Sequence, residues 1–122
     1  MPEPRIVRAK DLVQGVPTPG MERREATEGS TRIIAVRTQP GLVSGWHHHA
    51  QYTTYGYVID GRLRLESGPG GATVVEAGRG DFFIVPPETV HRESNPSDEE
   101  QVLIGFRVGE GDTVVNVEGP DG

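Results

Sequence analysis

Cysteine is absent from this chain, so disulfides, thiolate metal ligands and a cysteine nucleophile are all excluded. Lysine is nearly absent too: Lys10 is the only one, and the arginines are scattered without forming a basic run. The net charge is −6. A nucleic-acid partner is therefore not expected, because a phosphate-binding face needs concentrated Lys and Arg.

Long apolar runs are also missing. No stretch approaches the roughly 18 apolar residues of a membrane span, and the N-terminal sequence MPEP lacks an apolar signal region. We therefore expect a cytoplasmic protein with no membrane partner. Its 122 residues suit one domain with a single modest core.

Helical periodicity is almost absent, and short β-like runs bounded by Gly, Pro, Asp or Asn take its place. This pattern predicts an all-β sandwich or barrel. Asp60-Gly61, between two of these runs, is typical of a type I′ hairpin turn. The predicted strands are Arg32–Thr38, Tyr55–Ile59, Arg62–Glu66, Ala72–Ala77, Asp81–Val85, Gln101–Val108 and Thr113–Val117.

The domain organisation follows from these runs. Residues 1–29 are expected to form an arm with a short edge strand near Arg5–Ala9, residues 30–118 a single barrel, and residues 119–122 a tail. The last predicted strand has no obvious partner within the chain, and lone edge strands often pair with a neighbouring molecule. A homodimer is therefore expected.

The histidines carry the functional signal. The chain has four, and three of them, His47, His49 and His91, form one pattern. Imidazoles at i and i+2 on a strand project from the same face, and a third from another strand would complete a nitrogen face for a divalent metal. The alternative is three unrelated structural or surface histidines. His48 should point to the opposite face.

Two sequence motifs resemble those of the cupin superfamily. The first cupin motif places Gly, His, His, Glu and Gly in sequence, and Gly41, His47, His49 and Gly61 occupy its slots. The second places Gly, Pro, Gly, His and Asn, and its matching residues have the expected spacing: Gly80, Pro86, His91 and Asn95. The resemblance spans residues 41–95 and implies an all-β double-stranded β-helix, or jelly-roll barrel, that binds metal through the three histidines.

Two slots depart from the cupin pattern. Thr54 stands where the metal-binding Glu is expected, which reduces the usual ligand set to three histidines and opens a position for substrate or O₂. A neutral ligand set also leaves the metal with its full charge, which favours an anionic substrate. Glu88 stands in a Gly slot, so local backbone strain is expected there. Gln51 and Thr54 are candidates for an extra ligand or for the pocket wall.

Several side chains near the ligands are candidates for lining a pocket, although simple core or rim packing is the alternative for the aromatic ones. Gly56 should face the barrel interior and leave room for a ligand. Of the adjacent Phe82 and Phe83, one should line the barrel and the other pack outside. Arg37, Arg64 and Arg107 would bind a substrate anion only if they face the pocket. The pocket-lining candidates are Trp46, Tyr52, Gly56, Phe82 and Phe106.

Three functions remain open at this point. The first is a dioxygenase-like enzyme that uses Fe(II), the slightly favoured metal, to oxygenate or cleave a small organic substrate. The second is a Lewis-acid isomerase or polyketide-type cyclase that uses Zn, Ni or Mn. The third is a non-catalytic module that binds or senses a small ligand, which the lack of an evident acid–base pair favours.

Overall fold

The computed structural model describes residues 2–16 and 18–120. Within them the chain forms two antiparallel sheets that face each other as a double-stranded β-helix, the jelly-roll barrel expected from the sequence. Two short 3-10 turns, Ala9–Asp11 and Pro69–Gly71, complete the regular structure. The strands are β1 (Val13–Gln14), β2 (Met21–Glu28), β3 (Thr31–Thr38), β4 (His47–His48), β5 (Thr53–Asp60), β6 (Arg62–Ser67), β7 (Thr73–Gly78), β8 (Phe82–Val85), β9 (His91–Ser94), β10 (Gln101–Val108) and β11 (Val115–Asn116).

The two sheets share one apolar core. The six-stranded sheet has the order β1-β2-β3-β10-β5-β8, and the five-stranded sheet has the order β11-β4-β9-β6-β7. Alternate residues of facing strands point inward, as in any sheet packed on one side. The buried core consists of Val36, Val58, Leu63, Leu65, Val85 and Leu103, with Met21, Ala77 and Phe83 packed against it.

The N-terminal region differs from the expected arm. Arg5–Ala9 is not a strand, and the edge is formed by β1 instead. β2 pairs along its whole length with β3 and buries Arg23 and Glu25, so residues 21–28 belong to the barrel. The sequence of β2 is rich in charged residues, which are usually exposed, so it did not suggest a barrel strand. Periodicity alone does not reveal that a charged side chain is buried. Of the predicted 119–122 tail, Asp121 and Gly122 lie outside the described residues.

The prediction of a hairpin at Asp60-Gly61 is wrong. β5 belongs to the six-stranded sheet and β6 to the five-stranded one, so the chain crosses between sheets at this point. Gly61 has a positive φ of 79°, and a Cβ there would lie 2.9 Å from the Glu100 carbonyl oxygen. The turn needs glycine for the reason expected, but it serves a crossover.

The C-terminal strand is used within the chain. β11 pairs with β4, with Val115 opposite His48 and Asn116 opposite His47. The expectation that this strand stays free for a neighbouring molecule is therefore wrong. Its pairing instead fixes the segment that carries two of the histidines.

Candidate metal centre

Two neighbouring strands, β4 and β9, bring the predicted histidines together. His47 lies on β4 directly opposite His91 on β9, and His49 follows β4. The ring centroids are 4.9 Å apart for His47 and His49, 4.4 Å for His47 and His91, and 5.1 Å for His49 and His91. One ligand nitrogen from each ring lies within 4.8 Å of the other two, and all three residues are buried.

Backbone carbonyls fix the orientation of each ring. His47 Nδ1 donates to the Gly45 carbonyl at 2.8 Å, His91 Nδ1 to the Thr89 carbonyl at 2.8 Å, and His49 Nδ1 to the Thr113 carbonyl at 2.6 Å. Since a carbonyl can only accept, the proton sits on Nδ1 and the lone pair on Nε2. This arrangement is typical of metal-ligating histidines.

One nitrogen of the cluster has no protein partner in the described part of the chain. His91 Nε2 is fully buried and has no hydrogen-bond partner among residues 2–16 and 18–120. A buried polar atom without a partner is costly, and a metal ion is what such a nitrogen commonly binds. The donor set therefore fits a divalent metal such as zinc or iron, which imidazole suits.

Burial keeps His49 and His91 neutral. Desolvation, followed by the charge of Arg107, lowers the pKa of His49 to about 2. The pKa of His91 is also lowered, first by desolvation and then by His47. Neutral imidazole is the form that binds metal.

A small interior pocket adjoins the cluster. It has a volume of about 20 Å³, room for little more than one water molecule. His49, His91 and Thr54 line it, together with the charged side chains of Glu93 and Arg107. Thr54 is thus a wall of the pocket, and its hydroxyl accepts a hydrogen bond from Arg107 Nε at 3.3 Å.

The interior also holds a group of buried charges. Arg107 is 5% exposed, and its Nη1 lies 3.9 Å from Glu25 Oε1, too far for a hydrogen bond. Arg23, Arg32 and Glu93 also act on its charge. Desolvation is the main cause that lowers the Arg107 pKa, yet a guanidinium keeps its proton in proteins.

Gln51 does not reach the histidines. Its side chain is exposed and donates to Glu88 Oε1. Glu88 has a positive φ of 55°, as its position in a glycine slot predicts, and its N–H donates to the Ala50 carbonyl at 2.8 Å. These contacts tie the turn after His49 to the turn before His91.

Two of the aromatic candidates lie away from the interior pocket. Trp46 packs outside, with the Arg92 guanidinium 4.8 Å from its ring centroid. Tyr52 is buried near Gly109 but is not among the residues that line the interior pocket. Both side chains therefore serve packing and do not line the interior pocket.

The other candidates are placed differently from the prediction. Phe82 and Phe106 point out of the barrel, with exposures of 78% and 50%. Phe83 is the inward member of its pair and lines the pocket. A Cβ on Gly56 would lie 2.1 Å from Phe83 Cζ, so the ring of Phe83 already fills the space that Gly56 leaves.

Sequence reasoning missed Glu93 and left Arg107 undecided. Glu93 was not among the sequence-based candidates, although it lies two residues after His91 on the same strand and therefore shares its face. That period was the available signal. Of the three candidate arginines, only Arg107 faces the pocket, because Arg37 pairs with Glu100 and Arg64 with Glu76 at the surface.

A small jelly-roll barrel with a three-histidine cluster at one end of its interior defines the class of this protein. The sequence profile of the cupin domain matches residues 35–106, more than half of the chain. The chain belongs to the cupin family. No curated protein matches its sequence.

Solved structures show the same fold. An uncharacterised conserved protein with a double-stranded β-helix domain from Klebsiella pneumoniae aligns over 96% of this chain and 100% of its own, at 22% identity and a TM-score of 0.72. A mutant of oxalate decarboxylase from Bacillus subtilis aligns over 84% of this chain at 20% identity and a TM-score of 0.73.

A study of the Mn(II) centres of that decarboxylase gives a structure with 19% identity over 86% of this chain and a TM-score of 0.74. This chain spans under a third of the length of the decarboxylase chains, 29% and 30%. At such identities the likeness shows the fold alone. In the described part of the chain, no helix has the length and apolar character needed to cross a membrane.

Proposed function

We propose that His47, His49 and His91 bind one divalent metal ion through their Nε2 atoms. The observation that carries this proposal is the set of three Nδ1–H groups that donate to carbonyls, which leaves the Nε2 lone pairs of three buried histidines free, with one ligand atom of each residue within 4.8 Å of the others. Thr54 supplies only a neutral hydroxyl, and that hydroxyl already accepts from Arg107.

Metal analysis of the protein purified from its native host tests the proposal. We expect about one equivalent of metal, lost in His47→Ala/His49→Ala and in His91→Ala. His48→Ala is the matched control and should keep its metal, because its Nδ1 accepts the Ala50 N–H at 3.0 Å and the residue is not part of the cluster. Equal metal content in all four proteins would refute the site.

We further propose that the centre belongs to an enzyme acting on a small organic molecule, with a dioxygenase-like oxygenation or cleavage as the leading activity. Fe(II) held by His47, His49 and His91 would supply redox chemistry with O₂ and would keep open positions for a substrate. The protein orients the ligands through their carbonyl contacts, and the inward apolar side chains of Phe83 and Val85 exclude water. About one equivalent of iron, with O₂ consumption on addition of diketone, thiol or phenol substrates, would support this activity.

Glu93 favours a second candidate, a Lewis-acid isomerase or polyketide-type cyclase using Zn, Ni or Mn. Its carboxylate lines the pocket beside His91 and can accept a proton from a substrate carbon next to a polarised carbonyl. Activity that survives strict anaerobiosis and is lost in Glu93→Gln would select this candidate.

A protein that keeps its metal but turns over none of these substrates would instead be a non-catalytic binding or sensing module. A cytoplasmic location stays a prediction.

We also propose a homodimer, formed through the outer apolar face of the six-stranded sheet. We define this face by five exposed or half-exposed side chains that are cross-strand neighbours: Tyr55, Tyr57, Phe82, Ile104 and Phe106. They border a groove of about 500 Å³ whose lining residues carry no charge. Uncharged patches of this kind commonly mark an interface, and two identical sheet faces can pack isologously.

Sedimentation analysis tests the dimer. Phe106→Glu should yield monomers, since it buries an unpaired charge at the centre of the contact. Val74→Glu is the control, because Val74 is equally half-exposed but lies on the other sheet. A wild-type monomer at micromolar concentration would contradict the proposal.

A further inference from the structure

The two sheets part along one side of the barrel, between β7 and β8. Each of these strands is the last of its sheet, and within residues 2–16 and 18–120 no ladder joins them. A cleft of about 170 Å³ lies between the two edges, and we call it the side cleft. Seven of its eight lining residues are apolar, among them Leu63, Leu65, Val75, Phe83 and Ile84, so the space favours an apolar ligand.

The side cleft suits a molecule that has one apolar ring and one polar group. An apolar cavity of roughly 150 Å³ binds benzene, so the measured volume of about 170 Å³ accepts a single ring. Glu76, the charged lining residue, pairs with Arg62 at 2.6 Å and with Arg64 at 3.0 Å, so its charge is already balanced. The facing strand edges present backbone N–H and C=O groups outside any ladder, and these can bond a polar substituent.

Phe83 separates the side cleft from the interior pocket beside the histidines. Among residues 2–16 and 18–120, it is the one residue that lines both spaces. Its ring fills the space left by Gly56, its register partner on β5. With the ring there, the interior pocket of about 20 Å³ is too small for an organic molecule. Displacement or shortening of this side chain would join the two spaces.

We infer that the side cleft binds the ring of a small molecule, and that Phe83 determines how far this ring extends toward the three histidines. The role of that molecule as a substrate rests on the proposed metal centre, whereas its binding in the side cleft does not need the metal. Phe83 is half-buried on a strand that is paired along one edge only, so its ring can move without breaking the ladder with β5. Phe83 thereby sets the size of the molecule that the centre accepts.

Fluorine NMR of 4-fluorophenol with the metal-free protein tests the side cleft itself. We expect saturable binding by wild type, weakened roughly ten- to a hundredfold in Val75→Trp, because the indole fills the space that the ring needs. Val74→Trp is the matched control, since Val74 is adjacent on β7, has an exposure of 50% against 55% for Val75, and does not line the cleft. No binding by wild type, or equal binding by the two variants, would overturn the inference.

Phe83→Leu tests the separating ring, with the two-ring probe 6-fluoro-2-naphthol and the metal-free protein. We expect the variant to bind this probe about tenfold more tightly than wild type, because the shorter side chain joins the two spaces. Phe106→Leu is the control: it makes the same change at an outward-facing position that does not line the cleft, and should behave like wild type. Equal naphthol affinity in Phe83→Leu and Phe106→Leu would overturn the role of Phe83.

Cobalt-loaded Phe83→Leu shows whether the ligand approaches the histidines. We expect the fluorine of bound 6-fluoro-2-naphthol to relax faster than in the zinc-loaded variant, because cobalt is paramagnetic. Equal relaxation with both metals bound would show that the ligand stays away from the centre and would overturn the connection between the two spaces.

The outcomes separate this inference from the metal centre. Histidine-dependent metal binding without any binding of 4-fluorophenol would refute the side cleft and leave the centre intact. Failure to bind metal, with both probes behaving as expected in the metal-free proteins, would refute the centre and support the side cleft as a binding site of its own.

Discussion

At the scale of single residues, Gly56 shows how tightly the interior is filled. The strand alternation correctly points this position inward, but the space beside it is taken by the Phe83 ring. Glycine on β5 is therefore a packing partner for an aromatic side chain. The interior volume near the metal centre is consequently set by Phe83.

Gly56→Ala should lower the free energy of unfolding by about 1–3 kcal/mol, because its Cβ overlaps Phe83 and forces a rearrangement. Urea denaturation would measure the change, and adding Phe83→Leu should recover part of it. Gly45→Ala serves as the control, since nothing lies within 4 Å of a Cβ there. Equal stability of the Gly56→Ala and Gly45→Ala proteins would contradict this account.

For Glu88, the sequence predicted the backbone conformation but not the side-chain contact. Its occupancy of a glycine slot predicted strain, and its φ of 55° lies in the left-handed region. Its contact with Gln51 depends on two loops meeting in space. Local motif spacing cannot supply that information, and for the same reason Gln51 looked like a candidate ligand.

At the scale of elements, Gln101 joins the two sheets. It lies on β10 in the six-stranded sheet, is 2% exposed, and donates from Nε2 to the carbonyls of Arg62 at 2.7 Å and Ser94 at 3.2 Å. Arg62 and Ser94 belong to β6 and β9 of the other sheet. The amide thus satisfies two carbonyls at the edge where the sheets meet.

Gln101→Ala should lower the free energy of unfolding by about 1–3 kcal/mol, because it removes the donor from the buried contact with the Ser94 carbonyl and from the part-buried contact with the Arg62 carbonyl. Thermal or urea unfolding would measure the loss. Gln39→Ala, at an exposed position, should change stability by less than about 0.5 kcal/mol. A loss no larger than that of the control would show that water replaces the amide.

The elements also show which predictions the sequence could support. The seven strand runs predicted between Arg32 and Val117 all overlap strands, although the last is reduced to Val115–Asn116, because their flanking Gly, Pro and Asp residues mark real boundaries. The cluster of His47, His49 and His91 followed from motif spacing. Alternation separates the two faces of a strand without saying which one is buried. Phe82 and Phe106 were therefore named as pocket-lining candidates although they face outward, and Arg107 was left undecided.

At the scale of the whole molecule, the neutral histidines make stability depend on pH. The folded-state pKa of His49 is about 2 and that of His91 is lowered, whereas histidine in an unfolded chain titrates near about 6.5. Below that pH the unfolded state binds more protons than the folded one. The stability these residues contribute is therefore full above pH about 6.5 and is lost as the pH falls.

We expect the metal-free protein to lose up to about 1.4 kcal/mol of unfolding free energy per pH unit for each of the two histidines as the pH falls below about 6.5. Urea denaturation at a series of pH values would measure the slope. His48→Ala should keep it, and His49→Asn should reduce it. A slope near zero between pH about 6.5 and about 5 would contradict the expected neutrality of the buried rings.

The pairing of β3 with β10 also determines the order in which the chain can assemble. One edge of β3 pairs with β2, which directly precedes it in the sequence. Its other edge pairs only with residues 101–108. Pairings so distant in sequence form slowly, and unpaired edges attract other chains. During synthesis, the nascent chain therefore carries an open strand edge until residues 101–108 have emerged, and a truncation before Gln101 would leave that edge permanently exposed.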